Sequence, residues 1–244
     1  MIDSIMFAAA RVLTFDGTQP MTNASGFFFE REGRLFLVTS RHVMSDEPTN
    51  HFPNRIEIEL HTDAVNLAKS IGFSIPLYAD GKSIWRQGQD SAGEIDVAVI
   101  ELERSALPAT AVLQAFTPEH LYGRDDKIEV GSPLLMVGFP LGFHDTLHHM
   151  PVARHAVLAS PFGLRFQGEG YFLTDARTHR GTSGAPVVIK APQLPSHGDE
   201  GLAWMLLGIH SARLDVGTRD HEIDEALGLN CAWYADILMT LTQA

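Results

Sequence analysis

Short apolar or alternating runs, separated by turn residues, recur along the chain. "GFFFE" (26–30) and "RLFLVTS" (34–40) are rich in aromatic and β-branched residues and flank "REG", a hairpin signature. "RIEIEL" (55–60) alternates strictly, which turns one face of a strand to the core and the other to water. "DVAVIEL" (96–102) and "PLLMVGF" (133–139) are nearly continuous and predict strands buried on both faces. "GYFLTDA" (170–176), "APVVI" (185–189) and "AWMLLGIHSARL" (203–214) extend the series. Helical spacing emerges only in "NCAWYADILMTLTQA" (230–244), where Trp233, Ile237, Leu238 and Leu241 share one face. This pattern predicts an all-β barrel or sandwich architecture rather than alternating βαβ units. Three stretches interrupt it: a turn-rich excursion at 67–94, a polar exposed connection at 193–201, and a linker near 103–131 broken by Pro108 and Pro118.

Composition narrows the function classes. At 244 residues, 45% hydrophobic and 20% charged, the chain can bury an ordinary core as one large or two small domains. A net charge of −12 excludes a coat for nucleic acid or for an anionic membrane. No apolar run is long enough to span a bilayer. The N-terminal "MIDSIMFAAARVLTF" lacks a basic segment and is interrupted at Arg11, so it is expected to begin the mature protein rather than to be a signal peptide. The single cysteine, Cys231, precludes an intrachain disulfide and suits a reducing compartment; a cytoplasmic location is expected.

The chemistry concentrates in "THRGTSGAPVVI" (178–189), where Ser183 stands between Gly181 and Gly184. Alone, this is a turn feeding a strand. A serine hydroxyl becomes a nucleophile only with a base to take its proton, a carboxylate to orient that base, and two N–H groups facing the developing oxyanion. His42, in "VTSRHV", follows a buried strand, and Asp96 opens "IDVAVIEL". The order His, Asp, Ser differs from the subtilisin and α/β-hydrolase orders. An α/β-hydrolase elbow reads G-x-S-x-G and leads into a helix, whereas Pro186 and the β-branched Val187, Val188 and Ile189 predict a strand.

With these motifs the chain resembles the trypsin-like (chymotrypsin-fold) serine peptidases, most of all their bacterial HtrA-like branch. "TDA" (174–176), "VGSPLLMVGFPLGF" (130–143) and "LLGIHSARL" (206–214) add to the likeness, which runs from about residue 24 to 215. The resemblance implies two six-stranded antiparallel β-barrels with a C-terminal helix, forming one peptidase domain. Residues 1–115 would carry His42 and Asp96, and residues 116–244 would carry Ser183. It implies hydrolysis of peptide bonds through an acyl-enzyme: Ser183 attacks, His42 acts as general base and then acid, Asp96 orients His42, and the N–H groups of Gly181 and Ser183 form the oxyanion hole. The implied partner is a protein or peptide substrate, with no cofactor, metal, nucleic acid or membrane.

The chain also departs from the family. Thr182 replaces the aspartate that pairs with a new N-terminus in digestive enzymes, which argues against that activation mode. With about sixty residues after Ser183, the PDZ domain usual in HtrA-like enzymes is not expected, and trypsin's disulfides are missing. A catalytically silent or latent module that binds or scaffolds on the same fold is the alternative.

Specificity rests on fewer residues. Arg177, six before Ser183, falls near the base of the primary pocket in this fold, with Arg180 close by. His210 falls where glutamate-specific bacterial relatives place a substrate-binding histidine. Together they suit an acidic P1 side chain through charge-assisted hydrogen bonds; the alternative is arginines that face solvent or pair with acids such as Asp175, and a packed histidine. The four histidines of "HDTLHHMPVARH" (144–155) lack a completing Cys or carboxylate motif and are expected to lie in a loop rather than to bind a metal.

Overall fold

The hairpin expected around "REG" is formed by β2 (Gln19–Arg31) and β3 (Arg34–Thr39), paired from Phe27↔Val38 to Arg31↔Arg34. Its two loop residues, Glu32 and Gly33, have φ of 52° and 76°. That is the left-handed pair a tight hairpin demands, because its twist matches that of the flanking strands. The computed structural model describes residues 2–122, 128–191, 201–214 and 228–243.

The first half also contains β1 (Ala9–Asp16), α1 (Arg41–Met44), β4 (Arg55–His61), β5 (Ser70–Pro76), the short pair β6 (Tyr78–Ala79) and β7 (Lys82–Ser83), β8 (Trp85–Asp90) and β9 (Gly93–Leu102). Seven of its strands form one antiparallel sheet in the order β5-β4-β1-β2-β3-β9-β8. The excursion at 67–94 thus supplies β5 to β8, and most residues of β5 and β8 are not buried. The second half is a closed antiparallel barrel of six strands. They are β10 (Pro133–Gly138), β11 (Val152–Leu158), β12 (Tyr171–Asp175), β13 (Pro186–Lys190), β14 (Trp204–Arg213) and β15 (Leu229–Tyr234), with β13 following the serine turn as a strand. The connection at 193–201 falls almost wholly outside the described residues.

One apolar core runs between the two halves. Phe27, Phe29, Phe36, Val38 and Val97 from the sheet pack with Val137, Val188, Leu206, Ile209 and Trp233 from the barrel. Each such side chain contributes roughly 1.5–3 kcal/mol on burial. The ends of β3 and β9 and the serine turn are therefore held by the bulk of the protein.

The C-terminal helix is shorter than its spacing suggested. Residues 229–234 join the barrel as β15, a 3-10 turn covers Ala235–Ile237, and α2 spans Leu238–Leu241. Trp233 pairs with Tyr171 and Ile209 in the barrel, so it belongs to the strand. Two arginines of the first sheet cap the helix end: Arg31 Nη1 donates to the Met239 carbonyl at 2.6 Å, and Arg86 Nη1 donates to the carbonyl of Gln243.

Candidate active site

Register brings His42 and Asp96 together. Thr39, the last residue of β3, pairs with Ala98 of β9. Two residues on from Thr39 and two back from Ala98, Asp96 lies level with Arg41 and His42. The chain turns at Ser40 into α1, and the Ser40 hydroxyl donates to the His210 carbonyl at 3.1 Å, tying this corner to β14.

Asp96 accepts three hydrogen bonds. Its Oδ1 takes the His42 backbone N–H at 2.9 Å, and its Oδ2 takes His42 Nδ1–H at 2.7 Å and the Ser211 hydroxyl. An ionised carboxylate only accepts, so Nδ1 must carry the imidazole proton and Nε2 of the neutral ring is left with its lone pair free. Burial pushes His42 toward its neutral form, but the hydrogen bond and charge of Asp96 outweigh it and hold the pKa above the ordinary 6.5. For Asp96, burial favours the neutral acid, yet the His42 contacts and the Ser211 hydroxyl keep the carboxyl below its ordinary value.

Ser183 lies in the turn between β12 and β13, and its hydroxyl donates to the Ser211 carbonyl at 3.0 Å. No hydrogen bond joins it to His42 among the described residues. A single χ1 rotation separates this rotamer from others about Cα–Cβ.

The backbone of the serine turn can be accounted for group by group. The Arg180 carbonyl accepts from Leu141 N–H at 2.6 Å, the Thr182 carbonyl from Ala185 N–H at 2.9 Å, and the Ser183 carbonyl from Ser25 N–H at 2.9 Å. The Gly181 carbonyl accepts from the Ser25 hydroxyl at 2.8 Å. Thr182 N–H donates to the His179 carbonyl at 3.1 Å and Gly184 N–H to the His210 carbonyl at 2.8 Å. Of the four N–H groups from Gly181 to Gly184, two are left without a partner among the described residues: Gly181 N–H and Ser183 N–H. Gly181 has φ 90°, and a Cβ there would lie 2.6 Å from the Phe139 carbonyl, so only glycine serves.

The expected specificity residues separate. Arg177 and Arg180 are exposed and form no ion pair among the described residues. His210 is only 2% exposed, with Nδ1 unpartnered. Burial, then the neighbouring His42 charge, push its pKa down to about 4, so it is neutral near pH 7. Thr182 is buried and its hydroxyl has no partner among the described residues. Of the histidine-rich stretch, His155 lies on β11, paired with Leu135, and so departs from the loop expected for it, whereas His144, His148 and His149 lie in the loop that follows Leu141. There His144 Nδ1 donates to the Gly142 carbonyl at 2.6 Å and His148 Nδ1 pairs with Asp145 at 2.7 Å.

Sequence reasoning missed Ser211, Ser25 and Asn230. The fully buried Asn230 donates to the carbonyls of Ala176 and Gly228, each at 2.8 Å, and accepts from the Thr178 hydroxyl at 2.5 Å. It thereby fixes the segment that carries Arg177. A groove of about 710 Å³ lined by Asp90, Arg165, Trp233 and Asp236 includes none of His42, Asp96 and Ser183.

An antiparallel sheet and a closed barrel, with a histidine–aspartate pair on one and a serine turn on the other, define the class of trypsin-like serine peptidases. The family described as "Trypsin-like peptidase domain" matches residues 24–193, well over half of the chain, and the chain belongs to that family. Among solved structures it is similar to the serine endoprotease from Yersinia pestis, at 16% sequence identity with a TM-score of 0.54. That match covers 96% of this chain and 61% of the other, so the present chain spans about three-fifths of its length; the likeness bears on the fold. No curated protein matches the chain. Among the described residues, no helix is long and apolar enough to cross a membrane.

Proposed function

We propose that the protein is a serine endopeptidase in which Ser183, His42 and Asp96 hydrolyse peptide bonds through an acyl-enzyme. The observation that carries this reading is the pair of unpartnered donors, Gly181 N–H and Ser183 N–H, in a turn whose carbonyls from Arg180 to Ser183 are all held. Backbone N–H groups are strong donors, and two unpartnered ones beside one serine hydroxyl suit an oxyanion. His42 Nε2 takes the Ser183 proton as the hydroxyl attacks the substrate carbonyl. The carbonyl oxygen gains its charge between the two N–H groups. The protonated His42, stabilised by Asp96, gives its proton to the leaving amine; water then repeats the sequence on the ester. A fluorophosphonate probe is expected to label the folded protein, and Ser183→Ala to abolish both labelling and peptide cleavage. A folded wild-type protein that resists the probe and cleaves nothing in a broad peptide library would refute the assignment.

The bond from the Ser183 hydroxyl to the Ser211 carbonyl favours a second reading, a latent or catalytically silent module that binds without cleaving. The same probe separates the two, because a silent site binds peptide without forming a phosphonyl-serine adduct.

The preferred P1 residue in this reading is acidic. The support is that Arg177 and Arg180 are exposed and carry charge that no described acid neutralises, while the Nδ1 of the buried, neutral His210 lacks a partner among the described residues. A P1-varied peptide library is expected to favour Glu or Asp, and His210→Val to erase that preference while other P1 residues are still cleaved. Strong cleavage after Arg or Lys would overturn the acidic pocket but leave the peptidase assignment standing.

A further inference from the structure

Ser25 lies on β2, in the half of the molecule opposite the serine turn, and is fully buried. Its hydroxyl accepts the Phe139 N–H at 2.9 Å and donates to the Gly181 carbonyl at 2.8 Å. Its own N–H donates to the Ser183 carbonyl at 2.9 Å, and its carbonyl accepts the Thr39 hydroxyl at 2.7 Å. We propose that Ser25 is a positioning residue that aims the two oxyanion donors, Gly181 N–H and Ser183 N–H, from the opposite half of the protein. This rests on the peptidase reading above.

The peptide between Gly181 and Thr182 sits between the two peptides that carry the free N–H groups. Its plane sets the angle between them. Thr182 N–H holds one side of that plane through the His179 carbonyl, and the Ser25 hydroxyl holds the other through the Gly181 carbonyl. Gly181, at φ 90°, has the backbone freedom to turn if that hold is released. The same hydroxyl ties Phe139 N–H, two residues before Leu141, whose N–H holds the Arg180 carbonyl. One oxygen thus braces both struts of the donor pair.

The surrounding sequence makes room for that oxygen. A Cβ on Gly138 would lie 2.4 Å from Ser25 Oγ, so the glycine of "MVGFP" is needed for the hydroxyl to fit. The competing role is plain burial chemistry: a serine satisfying one N–H and one carbonyl, whose loss lowers stability alone. Ser160 offers a matched control. It is also buried, and its hydroxyl accepts the Leu173 N–H at 2.9 Å in the barrel wall.

The test compares wild type, Ser25→Ala, Ser25→Cys and Ser160→Ala by kcat, KM, fluorophosphonate labelling rate and affinity for a peptide aldehyde. All are measured at a temperature where circular dichroism shows each protein folded. Ser25→Ala is expected to lower kcat and labelling rate by about 10–100-fold with KM within about threefold, since misaimed donors weaken the transition state more than the bound substrate. Aldehyde affinity should fall in parallel, because its adduct places an oxygen between the same donors. Ser25→Cys should recover part of the loss, and Ser160→Ala should lower the melting temperature with kcat within about twofold. A folded Ser25→Ala with kcat within twofold of wild type, or with KM raised and kcat unchanged, overturns the proposal while the peptidase reading survives. If Ser25→Ala does not fold, a Ser25→Cys enzyme with wild-type kcat and aldehyde affinity overturns it, and a reduced kcat at unchanged KM supports it. A wild type that neither labels nor cleaves overturns both.

Discussion

Asp96→Asn is expected to lower kcat by about 10⁴-fold, a loss of the size that follows from a wrong imidazole tautomer. The amide keeps one acceptor but presents N–H donors where Oδ2 now receives His42 Nδ1–H at 2.7 Å. The imidazole adapts by offering Nδ1 as an acceptor, which places its proton on Nε2, the atom that must take the proton of Ser183. The variant also loses the negative charge that stabilises the imidazolium. KM should change little, because Asp96 is held behind His42 by the His42 N–H and the Ser211 hydroxyl. The pH profile gives an independent check. In the wild type His42 must be neutral to act as base, and its pKa lies above 6.5. Activity should therefore rise with pH through a midpoint above that value and be lost as pH falls below it. Without the Asp96 charge, burial is the leading influence on His42, so the residual activity should persist to lower pH. Steady-state kinetics over roughly pH 5–9 measure both effects; an Asp96→Asn enzyme with wild-type kcat would remove Asp96 from its proposed role.

Which parts of this site were legible beforehand follows from how far each contact reaches. His42, Asp96 and Ser183 stand at the ends of strongly apolar runs, so local pattern and chain order pointed to them. Ser211 and Ser25 act through side-chain bonds to partners 115 and 156 residues away, and nothing in their neighbours signals it. The extra strands of the first sheet were hidden for another reason. β5 and β8 are edge strands with mostly unburied side chains, so alternation of apolar and polar residues does not mark them. At 230–234 the apolar spacing fits a helix and a strand equally over so short a run; pairing with β12 and β14 decides for the strand. The specificity residues show a further limit. Chain position placed Arg177, Arg180 and His210 near the serine, but it could not distinguish two exposed guanidiniums from an imidazole that burial keeps neutral.

Gly184→Ala is expected to be the most damaging single methyl in the site, and its damage should appear as lost stability rather than altered chemistry alone. Gly184 has φ 85°, where a side chain costs about 1–2 kcal/mol on its own. A Cβ there would lie 2.2 Å from both the Ser25 carbonyl and Thr39 Oγ1, and 2.9 Å from Thr39 Cα. Two of those atoms are backbone, so the conflict cannot be relieved by a rotamer change. The serine turn must instead lift away from β2 and β3, which breaks the bond from Ser25 N–H to the Ser183 carbonyl and opens the core between the two halves. Overpacking adds roughly 1–3 kcal/mol or more to the backbone cost, so a total of about 3–5 kcal/mol is expected, and a melting temperature lower by about 10 °C in a chain of this size. Gly33→Ala isolates the backbone contribution, because Gly33 also has positive φ, 76°, but nothing lies within 4 Å of its added Cβ. Its cost should stay near 1–2 kcal/mol. Urea or thermal unfolding of the two variants beside the wild type decides the matter: equal losses at the two glycines would mean that the serine turn is not packed against β2 and β3, and the bracing of the oxyanion donors would lose its structural basis.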